Sequence, residues 1–179
     1  MVAGSGMNTK KRANRLDRHR DGRGGRDRNP APERPRIYGL HAVAAWLDAR
    51  PDRLQAVFCE PNAADAVRAL AAKARAAGVP VHTLSADEIA ERAAAKRNQG
   101  IFAECEAFPY VELEELLGRR PNLIVVIDQI QDPHNLGAIL RSAEAVGAGG
   151  LVSPKDHCVG VTAVAEAASA GASAWLPVA

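Results

Sequence analysis

Between Ile127 and Ala143 the chain reads Asp128-Gln129-Ile130-Gln131-Asp132-Pro133-His134-Asn135-Leu136-Gly137-Ala138-Ile139-Leu140-Arg141-Ser142. These side chains can hold a proton or grip an anion. Arg141 carries a planar fork of N–H donors that suits a phosphate. Its alternative is an exposed pair with Glu144 at i+3, worth about 0.2–0.5 kcal/mol. His134 could act as a general base near neutral pH or lie idle on a surface loop. Asn135 is well placed as an N-cap through its side-chain oxygen, and Asp132-Pro133 is a turn former. Gly137 would cost a helix roughly 1 kcal/mol, so it points to close approach of another backbone or a ligand.

These residues need a strand before them and a helix after them. Leu123 to Ile127 is an apolar strand, and Leu136, Ile139, Leu140 and Ala143 fall at the i, i+3, i+4, i+7 spacing of a helix over 136–146. The polar turn then sits at a strand's carboxyl end and a helix's amino end, where open α/β sheets bind ligands. Gly147-Ala148-Gly149-Gly150 has neither the G-x-G-x-x-G spacing nor a following Lys-Ser/Thr, and ends the helix before a strand at Leu151-Val152. A loop through Pro154 and His157 leads to a small-residue helix from Thr162 to Ala168, and Trp175-Leu176-Pro177-Val178 starts another strand. Three strands with two helices fall short of a doubly wound sheet, so residues 122–179 are expected to be the amino-terminal part of a longer domain.

Upstream, order is expected from Ile37. A short helix through Leu40, Val43 and Leu47 ends near Arg50-Pro51. Strand 54–58, helix 63–77, strand 79–84, a helix to Lys96 and strand 99–105 follow. Ser85-x-x-Glu88 is a capping box opening the third helix. The alternation makes a small α/β unit over 37–107, with 108–121 as linker. Gln99-Gly100 suits a hairpin or bulge, and Arg92, Lys96 and Arg97 form a basic cluster that either touches RNA or faces solvent.

Charge is unevenly placed. Residues 1–36 hold 11 Lys/Arg against 4 Asp/Glu, a net of +7, which leaves 12 against 17, or −5, for the other residues. The basic tail over 1–36 has no hydrophobic period and is expected to be disordered. It suits sequence-independent contact with nucleic-acid phosphates, or serves as a solubilising leader. Three cysteines without CxxC spacing make no zinc site by themselves. No apolar run is long enough to span a membrane, and no signal core is evident, so reduced thiols and a cytoplasmic location are expected. His157-Cys158 is poor nucleophile–base geometry.

Taken together, Asp132 to Ala143 resembles the first motif of the SpoU/TrmH RNA 2′-O-ribose methyltransferases. Tyr38-Gly39-Leu40-His41-Ala42-Val43 is similar to the opening of the substrate-binding domain in their large-subunit rRNA guanosine branch. Ser169-Ala170-Gly171-Ala172 and Leu176-Pro177-Val178 resemble that branch too. Asn98-Gln99-Gly100 departs from its more usual His-Gln-Gly. The resemblance implies an α/β RNA-binding domain followed by a SPOUT-type, Rossmann-like methyltransferase domain that is knotted when complete. It implies methyl transfer from S-adenosylmethionine to a ribose 2′-hydroxyl, on a guanosine of 23S rRNA, by a homodimer without metal.

By the same resemblance Arg141 and Asn135 are the catalytic residues, and Arg97, Gln99, His134 and Arg141 contact RNA. The family's Gly-x-Glu loop and Ser-Leu-Asn helix start are not found. Cofactor-binding residues are therefore expected beyond Ala179, and the 179-residue chain is expected to be inactive alone. A non-catalytic RNA-binding module is the alternative. A generic Rossmann enzyme is disfavoured, because the glycine fingerprint is missing.

Overall fold

Four strands from the first half of the chain make one mixed sheet. The computed structural model describes residues 34–95 and 97–179. Strands β1 (Arg36–Tyr38), β2 (Leu54–Cys59), β3 (Val81–Thr83) and β4 (Ile101–Cys105) lie in the order β1-β4-β2-β3. β4 runs antiparallel to both neighbours, while β2 and β3 are parallel. Helices α1 (Leu40–Ala49), α2 (Asp65–Ala76) and α3 (Ala86–Ala93) join them.

Both faces of β2 are covered, and the alternation of side chains across a strand decides what goes where. Val57, Ile101 and Ala103 join Val43, Trp46, Val67 and Leu70 of α1 and α2 in one core. Ala56, Phe58 and Phe102 turn the other way and meet Ile89 and Ala93 of α3. Phe58 and Phe102 are register partners whose rings stack at 4.6 Å. The Ser85 capping box forms as expected: its Oγ accepts from the Glu88 N–H at 3.3 Å, and its own N–H donates to Glu88 Oε2 at 2.9 Å.

The second half is built on parallel strands β5 (Ile124–Val126) and β6 (Gly150–Val152), with helices α4 (Leu113–Gly118), α5 (Pro133–Ala145) and α6 (Ala163–Ala168). Leu136, Leu140 and Ala143 bury the expected face of α5 against Leu151, Ala165, Leu176 and Val178. Gly137 lies against α6, where a Cβ would come within 2.6 Å of the Ala165 carbonyl oxygen. The close approach anticipated there is to backbone. The fold is α/β throughout. Among the described residues no helix is long and apolar enough to cross a membrane.

Several local expectations are corrected. Arg36 belongs to β1 rather than to a disordered tail, and it reaches Glu104 at 3.9 Å while Arg34 reaches it at 3.5 Å. The rest of that tail lies outside the described residues. Helix α3 stops at Ala93, because Ala94 turns left-handed at φ 49°. Helix α5 begins at Pro133, not Leu136: Asp132 is its cap, accepting from the His134 N–H at 2.8 Å. Proline's fixed φ suits the first helical position, so Asn135 is displaced from the cap into the first turn. The strand expected to start at 175–178 does begin, but only at its end: the Leu151 N–H donates to the Pro177 carbonyl and the Ala179 N–H to the Leu151 carbonyl, both at 2.9 Å. Ala172–Ala174 is a 3-10 turn, and Val178 makes a single parallel bridge to Leu151.

Candidate functional site

The polar turn after β5 does lie between a strand end and a helix start. Asp128, Gln129, His134 and Asn135 are all exposed, and Gln129 takes a left-handed φ of 57°. His134 contributes its backbone N–H to the cap, and its imidazole faces solvent. Among the described residues neither His134 nor Asn135 has a side-chain hydrogen bond, so both are available to a ligand.

Arg141 projects from α5 two turns further on. It is exposed and, among the described residues, its guanidinium has no ion pair or hydrogen bond, including none with Glu144. The surface pair allowed by the spacing does not form. Arg141 instead borders a cavity of about 230 Å³ with Ala45, Glu144, Ser169, Gly171 and Trp175. Gly171 forms part of its wall at φ +95°, and a Cβ there would come within 2.6 Å of Ala45 Cβ and 2.9 Å of the His41 carbonyl oxygen. Only glycine lets α1 seat this closely on the turn after α6.

The other expected contacts, Arg97 and Gln99, sit at the amino-terminal end of α1. With Tyr38, His41 and Ala170 they border a cavity of about 140 Å³. Ala170 lines both cavities, and His41 and Ala45 lie one turn apart on the same face of α1, so the two sets of residues adjoin along it. Gln99 also serves the fold itself, because its Oε1 accepts the Leu40 N–H at 2.7 Å and so caps α1, whose own cap residue Gly39 has no side chain. Asn98 is buried and holds the same corner, donating to the Ala95 carbonyl at 2.9 Å and accepting from the Gly100 N–H at 2.8 Å. The place where His is more usual is therefore a turn brace.

Sequence reasoning missed one buried polar cluster. Glu166, only 2% exposed, accepts from the Trp46 indole N–H at 3.0 Å and from the Ser173 hydroxyl. Ser169 donates to the Glu166 backbone carbonyl at 2.8 Å. Burial pushes the Glu166 carboxyl up, opposed by the Ser173 and Trp46 hydrogen bonds and by the Arg50 charge. Burial and then Glu166 hold the Cys105 thiol up at about 12, which leaves it neutral and unreactive. A lone glutamate in an alanine-rich helix carries no local sign of burial. Among the described residues no group of three or more His, Cys, Asp or Glu side chains is gathered to hold a metal.

Comparison with known proteins fits this arrangement. Residues 36–111 match the RNA 2′-O ribose methyltransferase substrate binding family and residues 122–179 the SpoU rRNA Methylase family. The chain therefore carries a SpoU rRNA Methylase segment preceded by the substrate-binding segment of the RNA 2′-O ribose methyltransferases. It is 41% identical over 147 residues to the 23S rRNA (guanosine-2'-O-)-methyltransferase RlmB of Coxiella burnetii, covering 79% of this chain and 58% of that protein. The Shewanella oneidensis protein of the same name is 35% identical, with 79% and 59% covered. The chain thus spans under two thirds of the length of these relatives. An rRNA methyltransferase from Sinorhizobium meliloti shares the fold at a TM-score of 0.64 and 24% identity, with 82% of this chain and 54% of that one covered. The SpoU methyltransferase AviRb from Streptomyces viridochromogenes, solved with AdoMet, gives 0.63 and 20%, with 80% and 52% covered.

Proposed function

We propose that this chain is the RNA-recognition part and first catalytic segment of an S-adenosylmethionine-dependent methyltransferase acting on a guanosine ribose 2′-hydroxyl in 23S rRNA. The observation that carries the reading is Arg141, exposed on α5 beside a cavity and free of any protein partner among the described residues. The family matches and the names of the relatives support the substrate class.

S-adenosylmethionine supplies an electrophilic methyl group. The rim at the carboxyl ends of β5 and β6 does not enclose it: Val126 is 72% exposed and Asp128 and Gln129 stand open. Its cradle is not assigned to these residues. Their contribution lies with the RNA. Arg141 remains a cation throughout, since guanidinium holds its proton to a pKa above about 12, so it grips a phosphate and stabilises developing negative charge rather than removing the hydroxyl proton. Asn135 and His134, both open on the first turn of α5, face the same chemistry. Arg97 and Gln99 extend the RNA contact along α1. The reading includes a homodimer in the cytoplasm, to which the exposed Leu123 and Val126 offer apolar surface.

The test is transfer of labelled methyl from S-adenosylmethionine to 23S rRNA by the whole protein. Arg141→Ala should lower turnover by about 10²–10³-fold with unchanged circular dichroism. Full turnover in that variant would remove Arg141 from the mechanism.

A further inference from the structure

The chain has two tryptophans in opposite settings. Trp46 is 1% exposed in the first core, whereas Trp175 is 54% exposed although its neighbour Leu176 is buried. An exposed aromatic side chain alone says little. This one borders the same cavity as Arg141, which is unpaired among the described residues. The walls between them are Ala45, Gly171 and Ala172, none with a side chain beyond Cβ. At about 230 Å³ the space is below the roughly 300–1,000 Å³ of sites for drug-sized ligands, and fits one planar ring.

We propose that Trp175 and Arg141 grip one unpaired nucleotide of the RNA, the base stacked on the indole and its phosphate held by the guanidinium. Glu144, also on the cavity edge, fixes the orientation. Its carboxylate repels a phosphate but accepts N–H donors from a base edge, so the base lies on its side and the phosphate on that of Arg141. Stacking on an aromatic face is the usual way to hold a splayed RNA base, and every base has such a face. The same geometry disfavours a protein partner, because an unpaired arginine inside an apolar contact would lose its hydration without compensation. The inference rests on the proposed RNA reading and adds a residue to it.

The two tryptophans supply the test. A short unstructured RNA oligonucleotide is titrated into the full chain while tryptophan emission and binding are followed together. Quenching that tracks binding is expected, absent in Trp175→Phe, where only buried Trp46 emits. Trp175→Ala should weaken binding about tenfold, the loss typical of one base–aromatic stack, and the conservative Trp175→Phe should retain most of the affinity. Binding without quenching, or equal affinity in Trp175→Ala, would overturn the stacking role while leaving the RNA reading intact. No RNA binding by the unmodified chain would overturn both. Shielding of Trp175 from acrylamide without RNA, with a doubled mass in sedimentation, would give the indole to a second copy instead.

Discussion

Trp46 donates its indole N–H to the carboxylate of Glu166 at 3.0 Å, joining residues 120 apart in the chain. Both side chains are buried, and Glu166 Oε1 is left without a hydrogen-bond partner. The bond ties α1 of the first sheet to α6 of the second. It places a charge-bearing group where the two halves meet, close to the tight seat of α1 on Gly171.

The buried Glu166 carboxyl makes stability depend on pH. Burial raises the Glu166 pKa above its unfolded value, so its contribution is fully present below the unfolded pKa near 4.3 and is lost as pH rises through the folded value. The other charges around it are Arg50, and beyond Cys105 the carboxylates Glu104 and Glu106. Thermal denaturation should show a fall in Tm as pH rises from about 4.3 toward neutrality, flattened in Glu166→Gln. An identical pH profile in both proteins would dissociate Glu166 from the effect.

Gly171→Ala should separate α1 from the turn after α6. The new methyl meets Ala45 Cβ and the His41 carbonyl, and the φ of +95° is one that alanine resists. A loss of about 1–3 kcal/mol is expected from overpacking, measured by urea denaturation. A neutral substitution would show that the two halves yield there.

Gly137→Ala tests the other close approach. Its methyl would meet Ala168 Cβ and the Ala165 carbonyl oxygen, so α5 must shift away from α6. Helix propensity alone predicts a gain of about 1 kcal/mol for this change. A loss on chemical denaturation is expected, because overpacking costs more; a gain would show that α6 moves aside freely.

Gln99→Ala should release the Leu40 N–H and cost about 0.5–2 kcal/mol, the range for a lost helix cap. Gln99→Glu keeps the acceptor and should restore stability. RNA affinity that falls in both variants while stability recovers in the second would separate the contact role of Gln99 from its capping role.

Removing residues 1–33 should weaken RNA binding most at low salt and reduce the slope of log K against log salt, since phosphate contacts act through released counterions. An unaltered slope, measured by filter binding across a salt series, would make the tail a passive leader.

What the residues reveal without the fold is local. The Ser85 box and the buried face of α5 depend on residues within a turn or two of one another, and both form as their spacing predicts. Asn135 is a good cap three residues after another, Asp132, and the proline that follows the first decides between them. Strand β1 is three residues long and exists by pairing with β4; no periodicity can announce so short a segment. Gln99 finds the Leu40 N–H 59 residues away, and Glu166 finds Trp46 across 120. At Arg141 the spacing admits both a surface pair and a ligand contact, and the packing of α5 leaves the guanidinium unpaired among the described residues.

The pairing of β1 with β4 has a consequence during synthesis. Ile37 cannot meet Ala103 until some seventy further residues have left the ribosome, so the first sheet closes late, by a contact of high sequence separation that slows folding. Trp46 belongs to the core of that sheet, yet its indole N–H meets its acceptor only in Glu166. Only synthesis of α6 supplies that acceptor, so the last bond to Trp46 joins segments made 120 residues apart.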